Sequence, residues 1–568
     1  MILRKRAMLL AAPVAAAASM LFLAPAMAKS ATRPASHPAS APSAATPHGA
    51  PRLVVAIAID QFSADLFAQY RTHFTGGFAR LLTGAVFPAG YQSHAATETC
   101  PGHSTILTGD HPARTGIIAN NWFDQSVARA KKSVYCAEDE TRAAADPKDY
   151  VASVGHLLVP TLGERMKQAN PASRNIAVSG KDRAALMMGG HNIDQVYWWK
   201  SNAFTTLDGK VLGPTAVAEN AVIAKQLGAG SPGYPVPGWC GAFDRPVVAN
   251  GVTVGNTHLP MAKGDATSYR VSPRLDRATL ELATRLVDEQ KLGQGTAPDL
   301  LAVSLSATDY IGHATGTEGA EMCIQLTQLD LALGDFFTQL DKRGVDYLVV
   351  LTADHGGFDL PERLDQQALP IAARADAALV PDALGKAIAT RLGMATTAPL
   401  LLAEGPAGDY WIDRTLTPAQ KHDVIVEAKR ELAAQPQVAA VLSAEELAAE
   451  PMPTGSPETW SLIQRARASY YAPRSGDFVV LLKRGIVPIP QARPGYVATH
   501  GSPWDYDRRV PMLFWRKGMA GFEQPSAVET VDIAPTLAAQ IGLPVVAGSF
   551  DGRCLDLDAG AEDSCKGS

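Results

Sequence analysis

The chain has 568 residues, with 51 lysines and arginines against 56 aspartates and glutamates, for a formal net charge of −5. No basic cluster stands out, so binding of a nucleic-acid polymer through a charged surface is disfavoured. The length is large for one compact unit and points to a core carrying sizeable insertions.

Residues 1–28, MILRKRAMLLAAPVAAAASMLFLAPAMA, join a basic start (Arg4, Lys5, Arg6) to an apolar run and a small-x-small end. That pattern predicts a signal peptide cleaved before Lys29, the competing reading being a membrane anchor. Cleavage would take the net charge from −5 to −8. No later segment has eighteen consecutive apolar residues, so no membrane span is expected after cleavage, and the expected location is periplasmic or secreted. Residues 29–50 are almost wholly Ala, Pro, Ser and Thr and read as a tether, with His37 and His48 solvated in it.

Five apolar, β-branched runs follow: LVVAIAID (53–60), NIAVSGKDR (175–183), DLLAVSLSATD (299–309), DYLVVLTADH (346–355) and VPMLFW (510–515). Continuous rather than alternating apolarity fits strands buried on both faces of a mainly parallel sheet. Helix-like stretches at 276–290 and 322–340 separate them, which gives an α/β core flanked by helices. The expected layout is a catalytic core over 51–364 with a loop insertion at about 200–275, an inserted cap over 365–490, and a return to the core over 491–568. GAGSPG at 228–233 spells a dinucleotide-binding pattern, but Pro232 and its flanks argue against that use. Six cysteines in an exported chain predict disulfides, Cys554–Cys565 being the easiest short loop. None forms a CxxC pair, so a thiolate metal site is not expected.

Ligands of open α/β sheets bind beyond the carboxyl ends of the strands. There the sequence places Asp60, Asp309 with His313, Asp354 with His355, and, before the last long strand, His500. Asp309 and His313 are four apart and share one face of a helical turn. Gly356 and Gly357 free the backbone so that Asp354 and His355 can both turn inward. Carboxylates and imidazoles without thiolates suit catalytic zinc, although oxygen-rich sites also admit manganese or calcium. Six ligands exceed one tetrahedral ion, so two ions are inferred, and a metal pair about 4 Å apart is a recurrent clamp for phosphoryl displacement. Thr99, in ATETCPGHSTILTG (96–109), would complete the set as a metal-activated nucleophile.

Asp60, TETCPGH, GIIAN (116–120), SGKDR, TDYIGH, ADHGG and THGSPW occur in the order seen in the alkaline phosphatase superfamily. From about residue 51 to residue 544 the chain resembles its threonine-nucleophile, PafA-type branch, related to nucleotide pyrophosphatases/phosphodiesterases. The resemblance implies an alkaline-phosphatase-like fold and hydrolysis of phosphate monoesters of small molecules through a phosphothreonine. It implies two Zn²⁺ per chain: Asp60, Thr99, Asp354 and His355 at one ion, and Asp309, His313 and His500 at the other. Asn120 would contact a phosphoryl oxygen, with Asn121 as the alternative register. Lys181 and Arg183 match the basic pair of the monoesterase branch; both would face one side of a strand extension, with Asp182 turned away. His103 is expected to brace the loop by a hydrogen bond rather than bind metal, and Cys100 to be disulfide-bonded rather than catalytic. His94, His111, His156, His191, His258 and His422 read as surface or packing residues, while Trp198 and Trp199 either wall the cleft or pack in the core. The rival functions are a phosphodiesterase or nucleotide pyrophosphatase, a sulfatase, disfavoured by the missing arginine after Pro101, and a non-catalytic metal-bound solute-binding protein.

Overall fold

The computed structural model describes residues 49–142, 149–395 and 398–566. The signal segment 1–28 and the tether up to residue 48, His37 and His48 included, lie outside the described residues.

A ten-stranded sheet forms the centre. Its strands are β1 (Leu53–Ile59), β2 (Ala85–Tyr91), β3 (Asn175–Ser179), β4 (Gln195–Lys200), β5 (Ala203–Thr205), β6 (Asp299–Leu305), β7 (Tyr347–Thr352), β8 (Arg509–Arg516), β9 (Phe522–Glu523) and β10 (Val528–Glu529). The spatial order is β9-β2-β8-β7-β1-β6-β3-β4-β5, with β10 also pairing with β2. Strands β7, β1, β6, β3 and β4 are mutually parallel. The VPMLFW strand departs from that pattern: β8 runs antiparallel to both β7 and β2. An unbroken apolar run reports burial on two faces and carries no information about direction.

Every residue of β1, β6 and β7 is buried. Val55, Ile57 and Ile59 of β1 join one hydrophobic cluster, while Val54, Ala56 and Ala58 join another on the opposite face. That division is what a period of two requires of a strand covered on both sides. The covering helices include α1 (Thr99–Thr108), α2 (Asp182–Gly189), α3 (Pro273–Glu289), α4 (Ala307–Thr315) and α5 (Ala320–Lys342). Leu280, Leu282 and Leu286 of α3 and Leu326, Leu333 and Phe337 of α5 pack into the first cluster. Burying a side chain of this size contributes about 1.5–3 kcal/mol each before the entropy of ordering it is subtracted.

The region 200–275 is more regular than its Gly- and Pro-rich composition suggests. It contains a helix over Pro214–Ala229 and a hairpin of Val247–Ala249 with Val252–Val254. The GAGSPG stretch is the end of that helix, with Gly230 at φ 71° closing it, so it serves as a helix stop. Trp198 and Trp199 are 4% and 8% exposed and sit in the two hydrophobic clusters, which makes them core residues. Within 365–490 a separate four-stranded antiparallel sheet is built from Leu401–Leu402, Gly408–Ile412, Phe478–Leu482 and Val438–Ser443. Helices Pro381–Arg391 and Pro418–Ala433 back it through Ile388, Val424 and Leu432 against Phe478. The disulfides are Cys100–Cys136, Cys240–Cys323 and Cys554–Cys565. Among the described residues no helix is long and apolar enough to cross a membrane.

Candidate active site and metal cradles

Parallel pairing brings three carboxylates to one edge. Ile59 is level with Leu305, and Ala58 with Thr352, so β6, β1 and β7 end together. Asp60 follows β1 directly, Asp309 lies in the first turn of α4, and Asp354 comes two residues after β7. All three are at most 1% exposed.

Asp309, His313 and His500 form one group of ligand atoms close enough to hold a metal ion. The one-turn spacing on α4 puts His313 Nε2 3.2 Å from Asp309 Oδ1, and His500 Nε2 approaches the same oxygen at 3.3 Å. His313 Nδ1 donates to the Ala498 carbonyl at 2.9 Å and His500 Nδ1 to the Thr97 carbonyl at 2.8 Å. In the neutral rings each Nε2 is then a lone pair pointed at a carboxylate. Two acceptors facing each other at such distances need a cation or a proton between them. His500 resists the proton, because burial and the neighbouring His355 push its pKa down to about 4. Asp309 Oδ1 makes no hydrogen bond although it is buried. A metal ion fits this donor set, and fixing a ligand imidazole through a backbone carbonyl is the usual outer support of metal sites.

The second cradle is centred on Asp60 and Asp354. His355 Nδ1 donates to the Gly356 carbonyl at 2.8 Å, leaving Nε2 3.2 Å from Asp354 Oδ2. Both of these atoms are buried without a hydrogen bond. The His355 and His500 rings stack with centroids 3.6 Å apart, which ties the two cradles together. Gly356 is needed for closeness rather than for backbone freedom: a Cβ there would collide with the Tyr506 carbonyl, and its φ is not positive.

His103 also lies within ligand distance of Asp60 and Asp354. Its Nδ1 donates to the Thr99 carbonyl at 2.9 Å, the bracing bond expected from the sequence. Nε2 meets Ser304 Oγ at 3.1 Å and Asp60 Oδ1 at 3.3 Å. Burial opposes its charge, yet Asp354 and Asp60 hold its pKa up at about 9. Both nitrogens face oxygens, so His103 braces the two carboxylates from α1.

Thr99 opens α1, whose first N–H groups and dipole favour an anion. Lys181 Nζ lies 2.8 Å from Asp60 Oδ2, 2.5 Å from Asp309 Oδ2 and 3.5 Å from Thr99 Oγ1. One ammonium therefore touches a carboxylate of each cradle and the candidate nucleophile. Burial opposes its charge, but Asp309 and Asp60 keep its pKa above that of a free lysine. Asp309 likewise stays well below the carboxylate range despite burial, through His313 and Lys181. Arg183 Nη2 reaches Thr99 Oγ1 at 3.3 Å. The basic pair does not lie on a strand extension: Lys181 is the extended residue before α2 and Arg183 is in its first turn. Convergence on Thr99 comes from the strand-to-helix bend. Asp182 does turn elsewhere, accepting the hydroxyls of Tyr135, at 2.7 Å, and Tyr150.

Asn120 Oδ1 accepts the Cys100 N–H at 2.9 Å, and its own N–H is held by Glu98 Oε2 at 2.7 Å. Asn121 instead begins the short strand Asn121–Phe123. The Cys100–Cys136 disulfide clamps the hairpin that carries Tyr135 beside α1, and Tyr135 Oη lies 3.4 Å from Arg183 Nη1. Glu98, Tyr135 and Ser304, which donates to Asp60 Oδ1 at 3.0 Å, are supporting residues that sequence reasoning missed. Only Glu98 had a visible signal, as the lone acid beside Thr99.

A family model described as type I phosphodiesterase / nucleotide pyrophosphatase matches residues 54–503. The chain is 54% identical over 520 residues to alkaline phosphatase PhoK of a Sphingomonas species, covering 91% of this chain and 93% of that one. It is 51% identical over 522 residues to alkaline phosphatase PhoD of Zymomonas mobilis, covering 91% and 90%. A crystal structure of wild-type alkaline phosphatase PafA superposes with a TM-score of 0.78 at 26% identity, over 90% of this chain and 99% of that one. The chain belongs to the type I phosphodiesterase/nucleotide pyrophosphatase family, within the alkaline phosphatase superfamily.

Proposed function

We propose that this chain is an exported phosphatase that hydrolyses phosphate monoesters of small molecules, with Thr99 as nucleophile and two zinc ions as cofactors. The observation that carries the reading is the reach of Lys181 Nζ, which touches Asp60, Asp309 and the Thr99 hydroxyl at once. Asp309, His313 and His500 would hold one ion, and Asp60, Asp354, His355 and the Thr99 oxygen the other. Zinc bound there supplies Lewis acidity, easing loss of the threonine proton and offsetting charge on oxygen.

Thr99 Oγ1 attacks phosphorus in line with the departing alcohol oxygen, and the chain carries the phosphoryl group as phosphothreonine. A water then attacks from the vacated side, the Thr99–phosphorus bond breaks, and phosphate leaves. Lys181, Arg183 and the Asn120 amide hold the equatorial oxygens, and α1 presents its N–H groups to the same charge. A monoester dianion gains more from two cations than a diester monoanion does, which favours the monoesterase over the phosphodiesterase reading. The leader-like residues 1–28 and three disulfides support export to the periplasm or beyond.

The test is Thr99→Ala. It should retain metal and lose turnover of an aryl phosphate by at least about a thousandfold, as for removal of a covalent nucleophile. Unchanged turnover would remove Thr99 from the reaction.

A further inference from the structure

A cavity of about 760 Å³ opens beside the site. Glu98, Asn120, His313 and His500 line one side of it, and residues of the small sheet line the other. Its volume is that of a site for a whole organic molecule, well beyond what a phosphoryl group needs. Trp411, Leu447, Val479, Leu481 and Ile486 give it an apolar wall.

Its charge is the opposite of the phosphoryl end. Lys181 and Arg183 surround Thr99 with positive charge, whereas the cavity is lined by Glu98, Asp382, Glu404 and Asp409. Their only cationic counterpart among the lining lysines and arginines is Arg493, whose guanidinium lies over the Tyr496 ring at 5.2 Å. Three of the acids are fixed by donors of the chain itself. Glu98 accepts the Asn120 N–H, Glu404 the Ser133 hydroxyl at 2.8 Å, and Asp409 the Gly476 N–H at 2.7 Å.

We propose that this cavity is a leaving-group subsite that accepts bulky alcohols and phenols without negative charge and discriminates against leaving groups that carry an anion of their own. The inference rests on the phosphatase reading and adds the substrate class. A substrate would lie with its dianionic phosphoryl group toward Lys181 and Arg183 and its uncharged body against the apolar wall. An anionic body would meet the four carboxylates instead.

The experiment uses the full zinc-loaded chain and two esters of similar size, 4-carbamoylphenyl phosphate and 4-carboxyphenyl phosphate. The carbamoyl ester should have the higher kcat/KM, and raising the salt from about 10 mM to 300 mM should shrink the gap as the charges are screened. The double variant Glu404→Lys with Asp382→Lys should raise the carboxy-to-carbamoyl ratio about fivefold, from four units of charge reversed at the cavity wall. A ratio that moves with neither salt nor charge reversal overturns the proposal. The salt series on the unaltered chain decides the matter even where the double variant folds poorly. Failure of the unaltered chain to hydrolyse either ester would instead overturn the phosphatase reading beneath it.

Discussion

Arg183→Ala probes the proposed preference for monoesters over diesters. Arg183 Nη2 stands 3.3 Å from Thr99 Oγ1, so a phosphoryl oxygen bonded to that threonine falls within its reach. Removing one preorganised donor to a charge that develops in the transition state costs about 3–4 kcal/mol, or two to three powers of ten in rate. For two unit charges about 4 Å apart at an effective dielectric constant near 20, the attraction is about 4 kcal/mol. A diester has one negative charge fewer; after desolvation and spreading over the oxygens, about a third of that difference remains, roughly tenfold. The variant should therefore lose about 300-fold in kcat/KM on an aryl monoester and about 30-fold on its methyl diester. The fold around it should persist, since Tyr135 is held independently by Asp182. The assay is paired kinetics with a common leaving group. Equal losses on the two esters would refute the argument that the cationic pair reads the extra charge.

Two further outcomes concern the scaffold. Gly102→Ala would press a Cβ into the backbone carbonyl of Asp354, costing about 1–3 kcal/mol and displacing a proposed metal ligand, so both Tm and activity should fall; a stable, fully active variant would contradict that packing. His111 is buried, which opposes its charge, but Asp551 and Glu529 raise its pKa to about 10. Against an unfolded value near 6.5, its contribution to stability is complete below about pH 6.5 and is lost as pH rises toward 10. The Tm gap between the unaltered chain and His111→Gln should thus narrow from pH 6 to pH 10; a widening gap would reverse the assignment of charge.

Much of the site was legible because its signals are local. Asp309 and His313 are one helical turn apart, and Asp60 and Asp354 each end an apolar run. The buried strand set followed from runs such as LVVAIAID. What escaped depends on contacts between distant segments. His111 looked partnerless in the sequence, yet its carboxylates come from residues 529 and 551. The role of His103 depends on two acids at other strand ends, and the support of Arg183 comes from Tyr135 across a disulfide-tied hairpin. The direction of β8 was unreadable because apolarity encodes burial alone. Trp198 and Trp199 fit a cleft or a core equally well in one dimension, and only strand pairing decides for the core.

The most direct test of the account is anomalous diffraction at the zinc edge from crystals of the metal-loaded chain. It should show two ions, one among Asp309, His313 and His500 and the other among Asp60, Thr99, Asp354 and His355. A single ion, or ions bound away from Thr99, would contradict a threonine activated between two metal cradles.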